Sequence, residues 1–242
     1  MTDAELARHI AETAGELLVK LQKSGLFEGK ALGKAGDRVA NAFIMEALNS
    51  QRPDDAVLSE EEAADPARLS AARVWIVDPL DGTREYGEAR TDWAVHIALA
   101  IDGVAEVGAV ALPGVPVTLT TTPPPAPVPA ANGKLKMLVS RTRPAAEAVM
   151  VAEKLGAELV PMGSAGAKAM AVVLGQADIY LHSGGQYEWD SCAPVAVARA
   201  AGLHTSRIDG SPLVYNCENP YLPDLLICRK EDAGRVFAAL GG

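Results

Sequence analysis

Arg73-Val74-Trp75-Ile76-Val77-Asp78-Pro79-Leu80-Asp81-Gly82-Thr83 runs an apolar segment directly into two carboxylates three residues apart. Val74 to Val77 are apolar without alternation, the pattern of a strand buried on both faces. Asp-Pro and Asp-Gly then end it in a turn. Asp78 and Asp81, with the Leu80 carbonyl between them, can face one or two cations. Gly82 and Thr83 follow with backbone N–H groups and a hydroxyl for a phosphate oxygen, an arrangement helped if Thr83 opens a helix. The same hexapeptide can also be a structural turn, so its meaning depends on what lies near it.

Two further groups of acids stand at comparable places. Glu60 and Glu61 follow the short strand Ala56-Val57-Leu58, and Asp190 opens a helix after Glu188-Trp189. Alone, Glu60-Glu61-Glu62 reads as a solvated acidic run, and Trp189-Asp190 as a core Trp beside a helix cap. If the strands are neighbours, all three groups meet at one edge of a sheet, where open α/β sheets place their sites. Carboxylates so close repel one another. A hard divalent cation such as Mg²⁺ relieves the repulsion and binds phosphate as well. The D-x-D-x-D-G spacing of an EF-hand is absent.

Apolar periodicity predicts helices over Asp3–Ser24 and Asp37–Leu48 and strands over Trp93–Ile101 and Val104–Leu112, joined by the Asp102-Gly103 turn. Pro113 to Gly133 contains seven prolines and reads as a surface connection. It divides an α+β N-terminal half, residues 1–122, which carries most of the candidate metal ligands, from a C-terminal half, residues 134–242. The second half alternates strands (Leu135–Val139, Asp178–Leu181, Leu225–Cys228) with helices (Pro144–Leu155, Ala165–Leu174, Ser191–Ala201, Glu231–Leu240), an α/β pattern.

Composition narrows the partners. The 242 residues carry 22 Lys+Arg against 31 Asp+Glu, a net charge of −9, and 49% are hydrophobic. That apolar share excludes a disordered chain. The acidic balance argues against nucleic acid polymers and anionic membrane surfaces as partners. Apolar runs fall well short of the ~20 residues that cross a bilayer. The acidic N-terminus lacks a signal pattern, and Cys192, Cys217 and Cys228 form no CxxC pair, so a reduced cytoplasm is the expected setting. His182 and His204 have no metal-like spacing and read as structural.

Glu60-Glu61, Asp78 to Thr83, and Trp189-Asp190-Ser191-Cys192-Ala193 resemble, in order and spacing, the three signatures of the inositol monophosphatase superfamily. These are lithium-sensitive, magnesium-dependent phosphomonoesterases. The stretches Gly163–Val172, Gly184–Ser191 and Ser206–Asn216 are similar to its CysQ-type 3′-phosphoadenosine 5′-phosphate phosphatases. The resemblance implies an αβαβα layered sandwich, often dimeric. It implies that Glu60, Asp78 and the Leu80 carbonyl hold one Mg²⁺, and Asp78, Asp81 and Asp190 a second. Asp37 matches an aspartate that supports a third, weaker ion in relatives. Glu61 and Thr83 match residues that orient the attacking water, and Gly82 and Thr83 line the scissile phosphate beside Asp81 and Asp190. Lys34 stands where relatives carry Thr, Ser59 where Gly is usual, and Cys192 where Ala is usual.

The resemblance implies a small phosphorylated metabolite as substrate, with 3′-phosphoadenosine 5′-phosphate preferred and converted to AMP and phosphate. Inositol monophosphate and fructose 1,6-bisphosphate are alternatives within the class. A non-catalytic module that senses a phosphorylated ligand is the rival of another class, and it has no need of a water-activating Glu61. For the second phosphate, Ser164 and Lys168 share a helix face four residues apart, and Ser140-Arg141 adds a second cation. Tyr187, three residues before Asp190, is placed to flank the substrate.

Overall fold

The computed structural model describes residues 1–126 and 133–241. The chain opens with α1 (Asp3–Lys23) and α2 (Gly29–Gln51). Thr2 sets the start of α1, its hydroxyl accepting from Glu5 N–H while the Glu5 carboxylate accepts from Thr2 N–H. A first sheet follows, β1 (Ala56–Ser59), β2 (Arg73–Asp81), β3 (Ala94–Ile101), β4 (Val104–Leu112) and β5 (Val117–Thr120), in the order β1-β2-β3-β4-β5. The short helix α3 (Thr83–Gly87) lies between β2 and β3. The second half contains β6 (Lys136–Ser140), α4 (Ala146–Leu155), β7 (Glu158–Met162), α5 (Ala165–Val173), β8 (Ile179–Tyr187), α6 (Glu188–Ala200), β9 (His204–Ser206), β10 (Tyr221–Cys228) and α7 (Lys230–Gly241). Its sheet runs β7-β6-β8-β10-β9.

The layers follow from which side of each strand is apolar. In β2, Trp75 and Val77 pack with Leu6, Ile10, Leu18, Ile44 and Leu48 of α1 and α2. Val74 and Ile76 point the other way and share a core with Met170, Val172, Val195 and Val197 of α5 and α6, together with Tyr180, Leu225 and Ile227 of the second sheet. The far face of that sheet buries Met137, Val139, Ile179 and Leu226 against Ala148, Val151 and Val236 of α4 and α7. The order is helix, sheet, helix, sheet, helix, the expected αβαβα sandwich. Small residues bring the middle layer close: a Cβ on Gly108 of β4 would lie 2.6 Å from the Ala193 carbonyl of α6.

Three features depart from the sequence reading. Val117–Thr120, inside the proline-rich connection, pairs with β4 as an edge strand. The prolines bracket this strand without entering it, and an edge demands hydrogen bonds on one side only; residues 127–132 of the connection lie outside the described residues. Helix α2 starts at Gly29 and not near Asp37. Gly33 and Gly36, which weaken a helix in isolation, here sit against Thr83 and against Tyr86 and Leu80, where a Cβ would come within 2.9 Å of its neighbours. Strands β7 and β9 also went unread. Both are sheet edges, one interrupted by Pro161 and the other three residues long.

Candidate active site

Residues three apart on a regular strand point to opposite faces, yet Asp78 and Asp81 point to the same one. The register shows why. Asp78 pairs with His96 and Asp81 with Ala94, so β2 spends one more residue than β3 over this stretch. The bulge turns Asp81 to the side of Asp78, while Leu80 faces the outer helices. Gly82 then takes φ +89°, and a Cβ there would stand 3.1 Å from Ser164 Cβ and 3.3 Å from Trp93 Cβ.

One carboxylate oxygen from each of Asp78, Asp81 and Asp190 lies within 4.8 Å of the others. Asp78 and Asp81 come from the first sheet, whereas Asp190 enters from the first turn of α6, its Oδ2 accepting from Tyr187 N–H at 2.7 Å. Glu60 is exposed along one flank, but its carboxyl is set among protein atoms and hydrogen-bonds Asp78. Two carboxyls can do this only by sharing a proton. Burial first, then Glu60, Asp81 and Asp190, hold Asp78 well above the usual carboxylate range. Burial, then Asp81, raises Asp190 to about 7. Glu60 also reaches about 7 through burial and the nearby Asp81, Glu61 and Asp37, although its bond to Asp78 opposes this. Among the described residues, no lysine or arginine ion-pairs with Asp78, Asp81, Asp190 or Glu60. A close cluster of oxygen donors with surplus negative charge fits hard divalent cations.

Asp81 behaves differently. Burial alone would raise it, but the His96 ring, the Ser164 hydroxyl and the Gly166 N–H outweigh burial and hold it at about 2. Its Oδ1 accepts from Ala165 N–H at 3.1 Å and its Oδ2 from Gly166 N–H at 2.6 Å, so a carboxylate of the first sheet caps helix α5. His96 Nδ1 is 3.0 Å from the Trp189 carbonyl, which can only accept, so Nδ1 carries a proton. Its Nε2 stands 3.3 Å from Asp81 Oδ2, an ion-pair distance, though the angle is too poor for a good hydrogen bond. Burial lowers the His96 pKa, but Asp81 and the Trp189 carbonyl outweigh it and the net shift is upward.

Sequence reasoning missed His96. The available signal was a lone polar residue in the apolar run from Trp93 to Ile101.

At the mouth of the cluster, Thr83 Oγ1 is 3.2 Å from the Leu80 carbonyl and 3.4 Å from Asp37 Oδ1. Burial, then Glu61, raises Asp37 to about 7 against the Thr83 hydrogen bond. Asp37, expected to support a third ion, and Glu61 and Thr83, expected to orient a water, therefore lie near one another. Glu61 N–H and the Asn41 amide oxygen both contact the buried Ser59 hydroxyl, which fixes the acidic turn.

Unfolded carboxylates titrate near about 4. With Asp37, Glu60 and Asp190 at about 7 in the fold, the cation-free folded chain binds more protons than the unfolded one between those values. Its stability then falls as pH rises through that window. The gain in Tm from saturating Mg²⁺ over EDTA is expected to widen from about pH 5 to about pH 8. A gain that shrinks with pH contradicts the cluster as described.

The residues expected to select the second phosphate are placed otherwise. Lys168 is 5% exposed, and its Nζ donates to the Gly163 and Ser164 carbonyls at 2.9 and 2.5 Å and lies 5.3 Å from the Tyr180 ring centroid. Ser164 Oγ donates to Asp81 and accepts from Ala167 N–H. Arg141 Nη2 binds Glu85 at 2.9 Å and Glu88 at 2.7 Å, and Ser140 Oγ accepts from Arg143 N–H. This corrects the reading of Lys168 and Arg141 as free phosphate ligands: Lys168 closes the turn into α5, and Arg141 ties β6 to α3. Lys168→Met keeps the length but strands two carbonyls. It is expected to cost roughly 1–3 kcal/mol of stability and to reduce turnover of bisphosphate and monophosphate substrates in equal proportion. Selective loss on the bisphosphate would restore the first reading.

Tyr187, expected to flank the substrate, is exposed near Asp190, stacked on Trp189 at 4.8 Å with 8° between planes and edge-on to Tyr221 at 5.8 Å.

Known proteins resemble this chain in sequence and in fold. Residues 4–236 match the inositol monophosphatase family. The chain is 52% identical over 250 residues to the 3'-phosphoadenosine 5'-phosphate phosphatase of Mycobacterium leprae, covering 96% of this chain and 91% of that protein. It is 32% identical over 208 residues to the 3'(2'),5'-bisphosphate nucleotidase CysQ of Escherichia coli K12, covering 78% and 81%. The crystal structure of CysQ from Bacteroides thetaiotaomicron superposes with a TM-score of 0.83 at 26% identity, over 94% of this chain and 97% of that one. With five layers, a bulged Asp78–Asp81 turn and an Asp190 that meets it from the second half, the chain belongs to the inositol monophosphatase family.

Proposed function

We propose that this chain is a Mg²⁺-dependent phosphomonoesterase that hydrolyses 3′-phosphoadenosine 5′-phosphate to AMP and phosphate. The observation that carries the reading is the cluster of buried Asp78 and Asp81 with half-buried Asp190, and the Asp37–Thr83 pair and Glu61 at its mouth. The substrate choice rests on the names of the two relatives above. Glu60, Asp78 and the Leu80 carbonyl would hold one ion, Asp78, Asp81 and Asp190 a second, and Asp37 would support a third. Bound there, divalent cations polarise the phosphate and make water a nucleophile near neutral pH.

The protein groups divide the remaining tasks. Water attacks phosphorus as the bond from phosphorus to the sugar oxygen breaks; the attacking water's proton needs an acceptor, and the departing sugar oxygen takes up a proton from solvent to leave as the alcohol. Glu61 lies close enough to Asp37 to raise it, which supports a role in which Glu61 and Thr83 orient the water and Glu61 takes that proton. Gly82 and Thr83 line the phosphate. His96, fixed by the Trp189 carbonyl, keeps Asp81 ionised and aimed. The Tyr187–Trp189 stack offers the base a flat wall.

Phosphate release from 3′-phosphoadenosine 5′-phosphate, inositol monophosphate and fructose 1,6-bisphosphate, with Mg²⁺ or with EDTA, tests the reading. The nucleotide is expected to give the highest kcat/KM, and EDTA to abolish turnover. Preference for either of the other two would move the substrate within the class. Binding without turnover of any of them would favour a sensing module.

A further inference from the structure

The cations first expected to hold a second phosphate are engaged elsewhere, but a neighbour of theirs is not. Arg143 stands just past the end of β6, its N–H donating to Ser140 Oγ and its backbone restricted by the following Pro144. Its side chain is exposed and, among the described residues, takes part in no hydrogen bond or ion pair. Arg73, Arg141, Arg207 and Arg229, by contrast, are each paired with carboxylates. The guanidinium lies over Gly185 of β8, where a Cβ would sit 3.8 Å from Nη1 and 3.9 Å from Nη2. Gly184 and Gly185 are both exposed and both at positive φ, so no side chain of this turn covers the guanidinium. Glu147 of α4, an acid near the same turn, is held by the Ser183 hydroxyl. His182 adds no competing charge, because burial, then Lys168 and Arg143, lowers it to about 4 against its bond to the Gly184 carbonyl.

Its place relative to the carboxylate cluster decides what this cation can meet. In an in-line displacement the attacking water and the leaving oxygen stand on opposite sides of phosphorus. Glu61 and Thr83, with Asp37 beside them, occupy the water's side, and all three come from the first half. The leaving sugar therefore points toward the second half, from which Asp190 enters. That half presents the C-terminal ends of the parallel strands β6, β7 and β8, the edge at which open α/β sheets bind ligands. A run of contacts follows this edge from Asp190 to Arg143. Asp190 accepts from Tyr187 N–H, Tyr187 is edge-on to Tyr221 at 5.8 Å, and the Tyr221 hydroxyl accepts at 3.2 Å from the N–H of Gly185, which lies under the guanidinium. Tyr187 and Gly185 are two residues apart, ~7 Å of extended strand. The step from the cluster to Arg143 is thus on the scale of a sugar ring with a phosphate at each end.

We infer that Arg143 seats the second phosphate of a bisphosphorylated substrate, on the leaving-group side of the Asp78–Asp81–Asp190 cluster that holds the scissile one. The inference rests on the phosphomonoesterase reading above and names a residue that sets its substrate class. A guanidinium suits the task, because its charge is permanent and its fork of N–H groups matches phosphate oxygens in pairs. A bisphosphate then binds at both ends of the site, and a monophosphate engages only one.

Adenosine 3′,5′-bisphosphate and adenosine 3′-monophosphate share the base, the sugar and the scissile bond, so the ratio of their kcat/KM values isolates the second phosphate. In the wild-type protein this ratio is expected to be well above one. In Arg143→Ala it is expected to fall roughly ten- to hundredfold, through KM for the bisphosphate and with kcat/KM for the monophosphate little changed. Arg143→Lys, which keeps the charge but not the fork, should recover part of the ratio. Inhibition by AMP, which keeps the 5′-phosphate, should weaken in step with the ratio, whereas inhibition by inorganic phosphate should not. Because the side chain is exposed and unpaired, both variants should melt with the wild type. Lys20→Ala, which removes an exposed cation of α1, serves as the comparison for charge alone. A high wild-type ratio that survives in Arg143→Ala, that falls equally in Lys20→Ala, or a loss shared by both substrates overturns the inference and leaves the function standing. A wild-type ratio near one overturns the bisphosphate reading itself.

Discussion

Asp78→Asn is expected to reduce turnover by at least ~10³-fold, since losing a partner that only orients a ligand already costs ~10–100-fold. Asp78 is 1% exposed and faces Glu60, Asp81 and Asp190. Asn keeps its volume but removes the charge that any cation in the cluster would need. The same substitution should leave the cation-free protein as stable as the wild type or more so, because it removes one member of a mutually repelling set. Melting curves separate the two effects. In EDTA the variant's Tm should equal or exceed that of the wild type above neutral pH. The Mg²⁺-induced gain, which amounts to ~2.7 kcal/mol at a hundred times Kd, should largely vanish. Near-normal turnover in saturating Mg²⁺ would remove Asp78 from the metal site, and a large loss of Tm in EDTA would make it a structural residue.

Gly166→Ala carries the second large effect, at a residue that bears no functional group. A methyl group there overlaps His96 Nε2, and both neighbours are fixed. Gly166 N–H donates to Asp81, and the fully buried His96 is tied to the Trp189 carbonyl. Overpacking of this kind costs roughly 1–3 kcal/mol, and in a chain of this size each kcal/mol lowers Tm by ~2–4 °C. Because the displaced groups are those that aim Asp81, kcat should fall by more than the loss of folded protein explains. The double variant His96→Ala/Gly166→Ala has room for the methyl and should regain stability without regaining turnover. If Gly166→Ala alone is fully active and stable, the contact between His96 and helix α5 is looser than the geometry requires.

Chemistry was more legible in this sequence than placement. Glu60, Asp78 and Asp81 could be read because these acids come at or just after the end of an apolar segment that has to be buried, and Asp190 because it stands in the opening turn of a helix, beside Trp189. The bulge that brings Asp78 and Asp81 to one face was not legible, since it is defined only against the register of β3. His96 is separated in sequence from every group it serves, so its one local mark, a polar residue in an apolar strand, did not say what it contacts. Lys168 misled because a helix-face argument cannot tell a lysine that points to solvent from one folded back onto carbonyls two residues outside its own helix. Helix α2 was cut short because the glycines that lower its intrinsic propensity are those that let Thr83 and Tyr86 pack against it.

The division of the acidic cluster between the two halves has a consequence for the chain as it is made. Glu60, Asp78 and Asp81 are all in place by the first third of the sequence, but Asp190 lies in the final quarter, on a helix that must dock between both sheets before its carboxylate meets theirs. Asp81 itself is aimed by N–H groups of α5, which also emerge late. A nascent or half-opened chain therefore holds an acidic turn but no hydrolytic centre. Hydrolytic power arrives only with completed tertiary structure, which protects other phosphorylated metabolites from every immature form of the molecule.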